Sequence, residues 1–322
     1  MKKLYALLFT FLLSIGILVG CGTGNEAETN EGKQESQQDQ QEQTKTSEFP
    51  VTIKDALDQE IVIEKKPERI ISLIPSNTEI AFELGLGDEI IGVSNFDNYP
   101  EEAAKKEKIG DQTLNLEKIF SLKPDLILSH HSAMGVSSEV IQQLKDAGIT
   151  VLTVNDAKTF TEVYDSIELI GKSTGTSEEA EQLVSDMQTK LEEIQGKTAD
   201  IKEKKKVYVE IDPTLFAAGK NTFIDEMLTL INAENMVTEP DWPQLDQEAI
   251  IAANPDVIIT TYGGYIEGAG DQVLSREGWQ DINAIKNKQV VDVDSDKVTR
   301  PGPRIVEGVE ELAKAIYPEV FN

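Results

Sequence analysis

Short apolar runs alternate with amphipathic stretches along most of the chain after residue 48. Runs bounded by polar turns predict strands at 70–73, 90–93, 126–129, 151–154, 207–211, 257–260 and 290–293. Helical patterns between them predict helices at 77–84, 116–122, 138–147, 223–232, 247–253 and 304–316. Two further runs, 51–53 and 61–63, flank a polar turn and predict a hairpin. This alternation indicates right-handed βαβ units and a mainly parallel α/β fold.

A longer helix is predicted over 175–205, in the middle of this alternation. Thr176 and Glu179 have the spacing of a capping box, and an apolar stripe recurs every three or four residues from Leu183 to Ile201. A helix of about 28 residues would measure about 42 Å, enough to cross from one lobe to another. The alternative is a surface helix packed along one domain. We therefore expect an N-terminal lobe at 49–174, a bridging helix at 175–205 and a C-terminal lobe at 206–322.

The second half of the chain repeats a pattern of the first. Residues 115–127 align with residues 246–258, and each segment reads as a cap, a helix, a Pro-Asp turn and a buried strand. Glu117 and Glu248 occupy the same place in the first helical turn. A carboxylate there is favoured by the helix dipole alone, but an equivalent pair would also suit a partner that presents two arginines. The repeat predicts two Rossmann-like lobes with mainly parallel sheets, joined by one long α-helix.

The first 48 residues have a different composition. Lys2 and Lys3 precede an apolar run at 4–19 that is too short for a spanning helix and ends in Leu-Val-Gly-Cys. We predict a signal peptide at 1–20; its ending resembles the bacterial lipobox, which implies a lipid on Cys21. The alternative is a plain secretory signal with a chance Cys. Residues 21–48 are rich in Gln, Glu, Asn, Thr and Ser, and predict a lipidated, flexible linker to the folded body.

Composition excludes several kinds of site. The 322 residues include 30 Lys and Arg against 58 Asp and Glu, which gives a formal net charge of −28 at pH 7. Such an acidic chain is a poor partner for nucleic acid. One Cys and two adjacent His exclude an intrachain disulfide and a site built from several Cys or His ligands. The composition favours a binding protein over an enzyme, and we expect it to be a monomer.

Ligands of parallel sheets bind at the loops that follow the carboxyl ends of the strands. Those loops carry aromatic residues, among them Phe96, Tyr262 and Tyr265, and Trp242 lies just before a predicted helix. If the two lobes face each other, these rings form the walls of one cleft. Apolar walls with a few polar groups suit a bulky ligand.

Two sets of polar residues could add specificity to this cleft. His130 follows a predicted strand and could be an axial ligand to cobalt or iron already held by a chelator. The alternative for His130 is a local hydrogen bond at the strand end. Arg300 and Arg304 could bind an anionic group of the ligand, or could form ion pairs with nearby carboxylates.

Several motifs resemble one family of solute-binding proteins. They are Ile-Ile-Ser-Leu-Ile-Pro-Ser-Asn-Thr-Glu at 70–79, Tyr-Pro at 99–100, Asn-Leu-Glu at 115–117, Lys-Pro-Asp at 123–125, Trp-Pro-Gln at 242–244 and Pro-Arg at 303–304. From about Phe49 to its C-terminus the chain resembles the helical-backbone, class III receptors of ABC importers for cobalamin and ferric siderophores, above all the cobalamin-binding members. The resemblance implies limited closure on a ligand and delivery to a permease with its associated ATPase.

The resemblance also implies roles for individual residues. Glu117 and Glu248 match the carboxylates that dock on permease arginines. The positions that match ligand walls are Phe96, Asp111, His130, Trp242, Asp296 and Arg300. At two of them, Asp111 and His130, cobalamin-binding members carry Trp, so this chain offers fewer flat rings.

The leading hypothesis is a lipoprotein on the outer face of a bacterial cell membrane that captures cobalamin or another corrinoid for import, with no cofactor of its own. A ferric siderophore or haem is the alternative ligand, because anionic siderophores favour a basic floor and corrinoids favour aromatic walls with few charges. A secreted hydrolase is the alternative from another class. It needs an activated nucleophile with an oriented base, which we do not find, although paired carboxylates could serve glycoside hydrolysis.

Overall fold

The computed structural model describes residues 49–131 and 138–321. The predicted signal peptide, Cys21 and the linker lie outside these residues. The body begins with two antiparallel strands, β1 (Val51–Lys54) and β2 (Glu60–Ile63), which confirm the predicted hairpin. Among the residues described, every helix is too short or too polar to span a bilayer.

The N-terminal lobe is built on a five-stranded parallel sheet. Its strands are β3 (Ile70–Ser72), β4 (Ile90–Val93), β5 (Glu107–Lys108), β6 (Leu126–His130) and β7 (Thr150–Val154), in the spatial order β5-β4-β3-β6-β7. Its helices are α1 (Pro75–Glu83), α2 (Glu101–Ala104), α3 (Leu116–Leu122), α4 (Ser138–Asp146) and α5 (Phe160–Thr174). All of central β3 is buried, as expected of a parallel strand covered on both faces.

A single long helix, α6 (Ser177–Thr198), follows the N-terminal lobe. It has 22 residues, so it is shorter than predicted and measures about 33 Å. The predicted capping box at its start is wrong, because Thr176 makes no side-chain cap and its hydroxyl lies 2.9 Å from that of Thr174. A capping box does form between Thr159 and Glu162, at the start of α5, a helix that the sequence analysis missed.

The C-terminal lobe contains a four-stranded parallel sheet. Its strands are β8 (Lys206–Glu210), β9 (Glu234–Asn235), β10 (Val257–Thr260) and β11 (Val290–Asp292), in the order β11-β10-β8-β9. Its helices are α7 (Phe223–Leu230), α8 (Gln247–Ala253), α9 (Ala269–Leu274), α10 (Asn283–Lys286), α11 (Ser295–Thr299) and α12 (Ile305–Ile316). The predicted elements of this lobe are all found, with ends shifted by at most two residues.

Helix α6 bridges the lobes, since it packs against both α5 of the N-terminal lobe and α12 of the C-terminal lobe. Its buried face enters a hydrophobic core to which both lobes contribute. Gly171 of α5 permits this packing: a Cβ at that position would lie 2.5 Å from the Ala180 Cβ. The two helices can therefore approach more closely than any other residue would allow.

The repeat seen in the sequence is also a repeat of geometry. Helices α3 and α8 each have seven residues, and each is followed by a left-handed residue, Lys123 with φ 51° and Asn254 with φ 51°. That conformation ends each helix and turns the chain into the Pro-Asp step before a buried strand.

The aspartate of each Pro-Asp step supports the neighbouring strand in the same way. Asp125 accepts a hydrogen bond from the Arg69 amide at 3.1 Å, just before β3. Asp256 accepts one from the Lys206 amide at 3.0 Å, at the start of β8. These equivalent contacts show that the two lobes share one construction where these strands begin.

Candidate functional site

A groove lies where loops at the carboxyl ends of strands from the two lobes meet. Its cavity has a volume of about 350 Å³. The residues that line it are Ile74, Pro75, Ser76, Phe96, His130 and Asp156 from the N-terminal lobe, and Thr299, Arg300 and Pro301 from the C-terminal lobe. Three of the residues singled out in the sequence, Phe96, His130 and Arg300, are thus brought together.

Phe96 forms an apolar side of this cavity. Its amide donates to the Ser94 hydroxyl at 3.2 Å, and that hydroxyl donates to the Asp97 carboxylate. The Lys108 ammonium group donates to the Asp97 carbonyl at 2.7 Å. Burial raises the pKa of Asp97, and the hydrogen bond from Ser94 opposes that shift. These bonds fix the turn, while the Phe96 ring remains 49% exposed and open to a ligand.

His130 ends β6 at the wall of the cavity, with its side chain almost fully buried. Its Nε2 atom lies 3.8 Å from Asp156 Oδ1. Burial lowers the pKa of His130, and the Asp156 carboxylate opposes that shift. The neutral imidazole is therefore favoured, the form in which a ring nitrogen can bind a metal. Within residues 49–131 and 138–321, no group of three or more His, Cys, Asp or Glu is arranged to hold a metal ion.

Arg300 and Arg304 both contact the carboxylate of Glu79, which is buried on α1. Arg304 makes two hydrogen bonds, from Nε to Oε2 at 3.0 Å and from Nη2 to Oε1 at 2.7 Å. Arg300 makes one, from Nη1 to Oε1 at 3.1 Å. Of the two alternatives raised by the sequence, the structure shows the ion pair. Because both cations are paired with carboxylates, the floor of the groove is not basic.

Asp296 contacts the cluster formed by Glu79, Arg300 and Arg304, and it does not line the cavity. It accepts from the Arg300 guanidinium at 2.9 Å and from the Asn98 amide at 2.9 Å. The Asn98 side-chain oxygen in turn accepts from Arg300 at 2.7 Å. Asn98 belongs to the N-terminal lobe and Asp296 to the C-terminal lobe, so these bonds join the lobes at the edge of the cavity.

The exposed aromatic rings of the C-terminal lobe include Phe216 and Trp242. Phe216 pairs with Gln244 in an isolated β-bridge, and Trp242 lies two residues before Gln244. Each ring follows a left-handed residue, Leu215 with φ 70° and Asp241 with φ 60°. That conformation is uncommon for leucine. Neither ring lines the cavity described above. The sequence analysis missed Phe216.

Tyr262 is a correction to the predicted ligand walls. It is only 1% exposed, and its hydroxyl donates to the buried Glu210 carboxylate, which Arg276 also contacts at 2.7 and 2.9 Å. Burial and the adjacent Glu210 raise the pKa of Tyr262. Tyr262 therefore belongs to the interior of its lobe, whereas Tyr265, three residues later, is 69% exposed.

Asp111 is also not brought to the cavity described above. It is half-buried in a turn after Gly110, where it accepts from the Asn95 side-chain amide at 3.3 Å. Gly110 has φ 107°, and a Cβ there would lie 2.2 Å from the Thr113 carbonyl oxygen. The tight turn directs Asp111 to these local contacts.

Glu117 and Glu248 lie in the first turns of α3 and α8, and both are exposed. On α3, the Phe120 ring is also exposed, one turn after Glu117 and therefore on the same face of the helix. The two carboxylates are accessible to a partner on equivalent helices of the two lobes.

Comparison with known proteins decides the family. Residues 70–297 match the family described as periplasmic binding protein. The chain belongs to this family. Over its full length it is 49% identical to the whole of the ABC transporter substrate-binding lipoprotein YvrC of Bacillus subtilis. It is 31% identical to the vitamin B12-binding protein of Pectobacterium atrosepticum, over 78% of this chain and 88% of that protein.

A solved structure of this periplasmic binding protein family shows the same fold. It is described as a possible iron-binding, periplasmic solute-binding protein from Staphylococcus epidermidis, and it is 40% identical with a TM-score of 0.71. The match covers 79% of this chain and 100% of that one. The predicted class III architecture is confirmed, with two parallel-sheet lobes and one bridging helix. The matched proteins are substrate carriers, and none of these comparisons indicates a family of enzymes.

Proposed function

We propose that this periplasmic binding protein is the extracytoplasmic receptor of an ABC importer, and that it captures cobalamin or another corrinoid in the groove between its lobes. The observation that carries the proposal is the character of the groove. The exposed Phe96 ring lines it, and the charges of Arg300 and Arg304 are balanced by those of Glu79 and Asp296. A flat, bulky ligand whose side chains are neutral amides is favoured by such a surface.

The relatives support the same ligand class. The 31% identical relative from Pectobacterium atrosepticum is named for binding vitamin B12. A corrinoid is much larger than the 350 Å³ cavity, which would hold one part of it. We propose that Trp242, an exposed ring that does not line this cavity, contacts another part.

A ferric siderophore or haem is the second candidate ligand. Two observations favour it: the Staphylococcus epidermidis structure is described as possibly iron-binding, and His130 stands at the cavity wall in a form suited to a metal. The charges of Arg300 and Arg304 argue against an anionic siderophore, because Glu79 and Asp296 already balance them and leave the cluster with no net positive charge.

Trp242 fluorescence separates the two candidates. The chain has two tryptophans, of which Trp279 is fully buried and Trp242 is 46% exposed. We expect cyanocobalamin to quench the fluorescence with tighter binding than a ferric hydroxamate, a ferric catecholate or haem. Trp242→Phe, titrated with the same ligands, corrects for their absorbance. Quenching by an iron ligand without quenching by cyanocobalamin would reverse the assignment.

We further propose that Glu117 and Glu248 dock the receptor on paired arginines of the permease. Their exposure and equivalent placement on α3 and α8 support this role. Glu117→Gln with Glu248→Gln should abolish uptake of labelled cobalamin and leave its affinity for the receptor unchanged. The matched control is Glu139→Gln with Glu178→Gln, two exposed carboxylates that also lie in first helical turns. Equal loss of uptake in both pairs would contradict the assignment.

The membrane anchor is proposed to be a lipid on Cys21. The lipobox-like sequence supports it, and the relative that matches along the whole chain is named a lipoprotein. Cys21→Ala should move the protein from the membrane fraction to the soluble fraction, and retention of this variant in the membrane would contradict the anchor.

A further inference from the structure

Glu79 forms ion pairs that connect the two lobes. Its side chain is 1% exposed and belongs to the N-terminal lobe, whereas both of its cationic partners, Arg300 and Arg304, come from the C-terminal lobe. One buried carboxylate therefore faces two guanidinium groups. A single one would be enough to compensate its charge.

The two arginines are held very differently. Arg304 forms a two-bond pair with Glu79, and its guanidinium carbon lies 3.9 Å from the centroid of the Tyr99 ring. Burial lowers the pKa of Arg304, but the bonds and the charge of Glu79 outweigh that effect and raise it overall. Arg300 gives Glu79 one bond, shares its other bonds with Asn98 and Asp296, and lines the cavity.

Glu79 keeps a cationic partner when Arg300 moves away. An unpaired buried carboxylate is costly, so a cation that is its sole partner cannot leave it. Because Arg304 compensates Glu79 permanently, the departure of Arg300 leaves no buried charge unpaired. Asp296 likewise keeps its hydrogen bond from Asn98 when Arg300 moves.

We propose that Arg304 is a positioning residue that neutralises Glu79 and thereby leaves Arg300 able to exchange its Glu79 contact for an acceptor group of the ligand. This role rests on the proposed function, and it adds the chemistry of the ligand group: a neutral oxygen acceptor such as an amide carbonyl. The four charges of Glu79, Asp296, Arg300 and Arg304 sum to zero, so an anionic group would add uncompensated charge beside Glu79 and Asp296.

The exchange can be tested without any ligand. Phenylglyoxal modifies accessible guanidinium groups, and peptide mapping reports the rate at Arg300 separately. Arg304→Met should slow the labelling of Arg300 several-fold, because Arg300 becomes the sole partner of Glu79. Adding Glu79→Gln to that variant should restore the rate, since no carboxylate then holds Arg300. The control is Arg276→Met, which removes the cation that pairs with the buried Glu210 inside the C-terminal lobe. This variant should leave the rate of Arg300 labelling unchanged.

The outcomes of the labelling separate an exchange from a merely structural ion pair. An unchanged rate in Arg304→Met, or a slow rate that persists after Glu79→Gln is added, would overturn the proposal. A faster rate in Arg304→Met would overturn it as well, because it would mean that Arg304 only holds the lobes together. Circular dichroism of each variant at the labelling temperature establishes that a rate belongs to folded protein.

A second arm measures the affinity for cyanocobalamin. Arg304→Met should weaken binding about tenfold or more, as expected when one hydrogen bond from a charged group is lost, and Glu79→Gln should recover it. If the unaltered protein does not bind cyanocobalamin, the proposed ligand is wrong while the labelling still decides the role of Arg304. If binding is normal and no variant changes it, the ligand stands and the exchange is refuted.

Discussion

Each lobe buries one glutamate near the carboxyl end of its sheet, and the two are neutralised in opposite ways. Glu210 of the C-terminal lobe receives Arg276 and Tyr262, both from its own lobe. Glu79 of the N-terminal lobe receives its cations only from the other lobe. The first arrangement stabilises a lobe by itself. The second makes the electrostatics of the N-terminal lobe depend on where the C-terminal lobe sits, so the groove and the lobe interface share one set of charges.

The largest expected effect comes from breaking the Glu210–Arg276 pair, which lies within one lobe. Arg276→Met leaves Glu210 without a cation, and we expect the free energy of unfolding in urea to fall by about 3–5 kcal/mol. Arg304→Met should cost less, about 1–3 kcal/mol, because Arg300 still neutralises Glu79. An equal loss in the two variants would show that Arg300 does not compensate the buried charge, and would remove the distinction between the lobes.

A smaller effect sharpens the difference between two tyrosines of the C-terminal lobe. Tyr262→Phe removes a hydrogen bond to the charged Glu210 and should lower the free energy of unfolding by about 1.5–3 kcal/mol. Tyr265→Phe is the matched change at an exposed ring and should alter it by less than about 0.5 kcal/mol. Urea titrations of both variants measure the difference. A destabilising Tyr265→Phe would mean that this residue, too, serves the interior.

The smallest effect concerns acid sensitivity in the N-terminal lobe. Burial holds the pKa of His130 below its ordinary 6.5, so the unfolded chain takes up this proton first as the pH falls. The contribution of His130 to the free energy of unfolding is complete above pH 6.5 and is lost as the pH falls towards the lowered pKa. Over that range the free energy of unfolding falls by at most about 1.4 kcal/mol per pH unit.

His130→Phe should remove this component. The difference in unfolding free energy between the variant and the unaltered protein should therefore change below pH 6.5 and be constant above it. Other titrating carboxylates, such as Asp97, cancel in that difference. A difference that is constant over the whole range would show that His130 is protonated as readily in the folded protein as in the unfolded chain.

The elements that could be predicted from sequence are those whose signals are local. The segment around Glu117 and its repeat around Glu248 carry their own helix pattern, left-handed cap and buried strand, and both were found with the correct helix bounds. Helix α5 was missed although Thr159 and Glu162 have the same spacing as Thr176 and Glu179. Only the tertiary structure shows that the Thr176 hydroxyl is engaged by Thr174 and cannot cap its helix.

Parts of the site depend on contacts that sequence spacing does not report. Arg304 and Glu79 are separated by 225 residues, so their pairing is a property of how the lobes meet. Tyr262 and Tyr265 share one loop, and the strand-end rule selects both without indicating which ring is buried. Phe216 lies in the loop that follows β8. The same rule would have selected it if that loop had been considered.

Gly171 controls how closely α5 packs against the bridging helix α6. The absent side chain lets α5 lie directly against Ala180, and α6 also packs against α12 of the other lobe. A methyl group added at this contact would force α5 or α6 to shift, because its carbon would lie 2.5 Å from the Ala180 Cβ. Because α6 joins the two lobes, we expect such a shift to alter how the walls of the groove face each other.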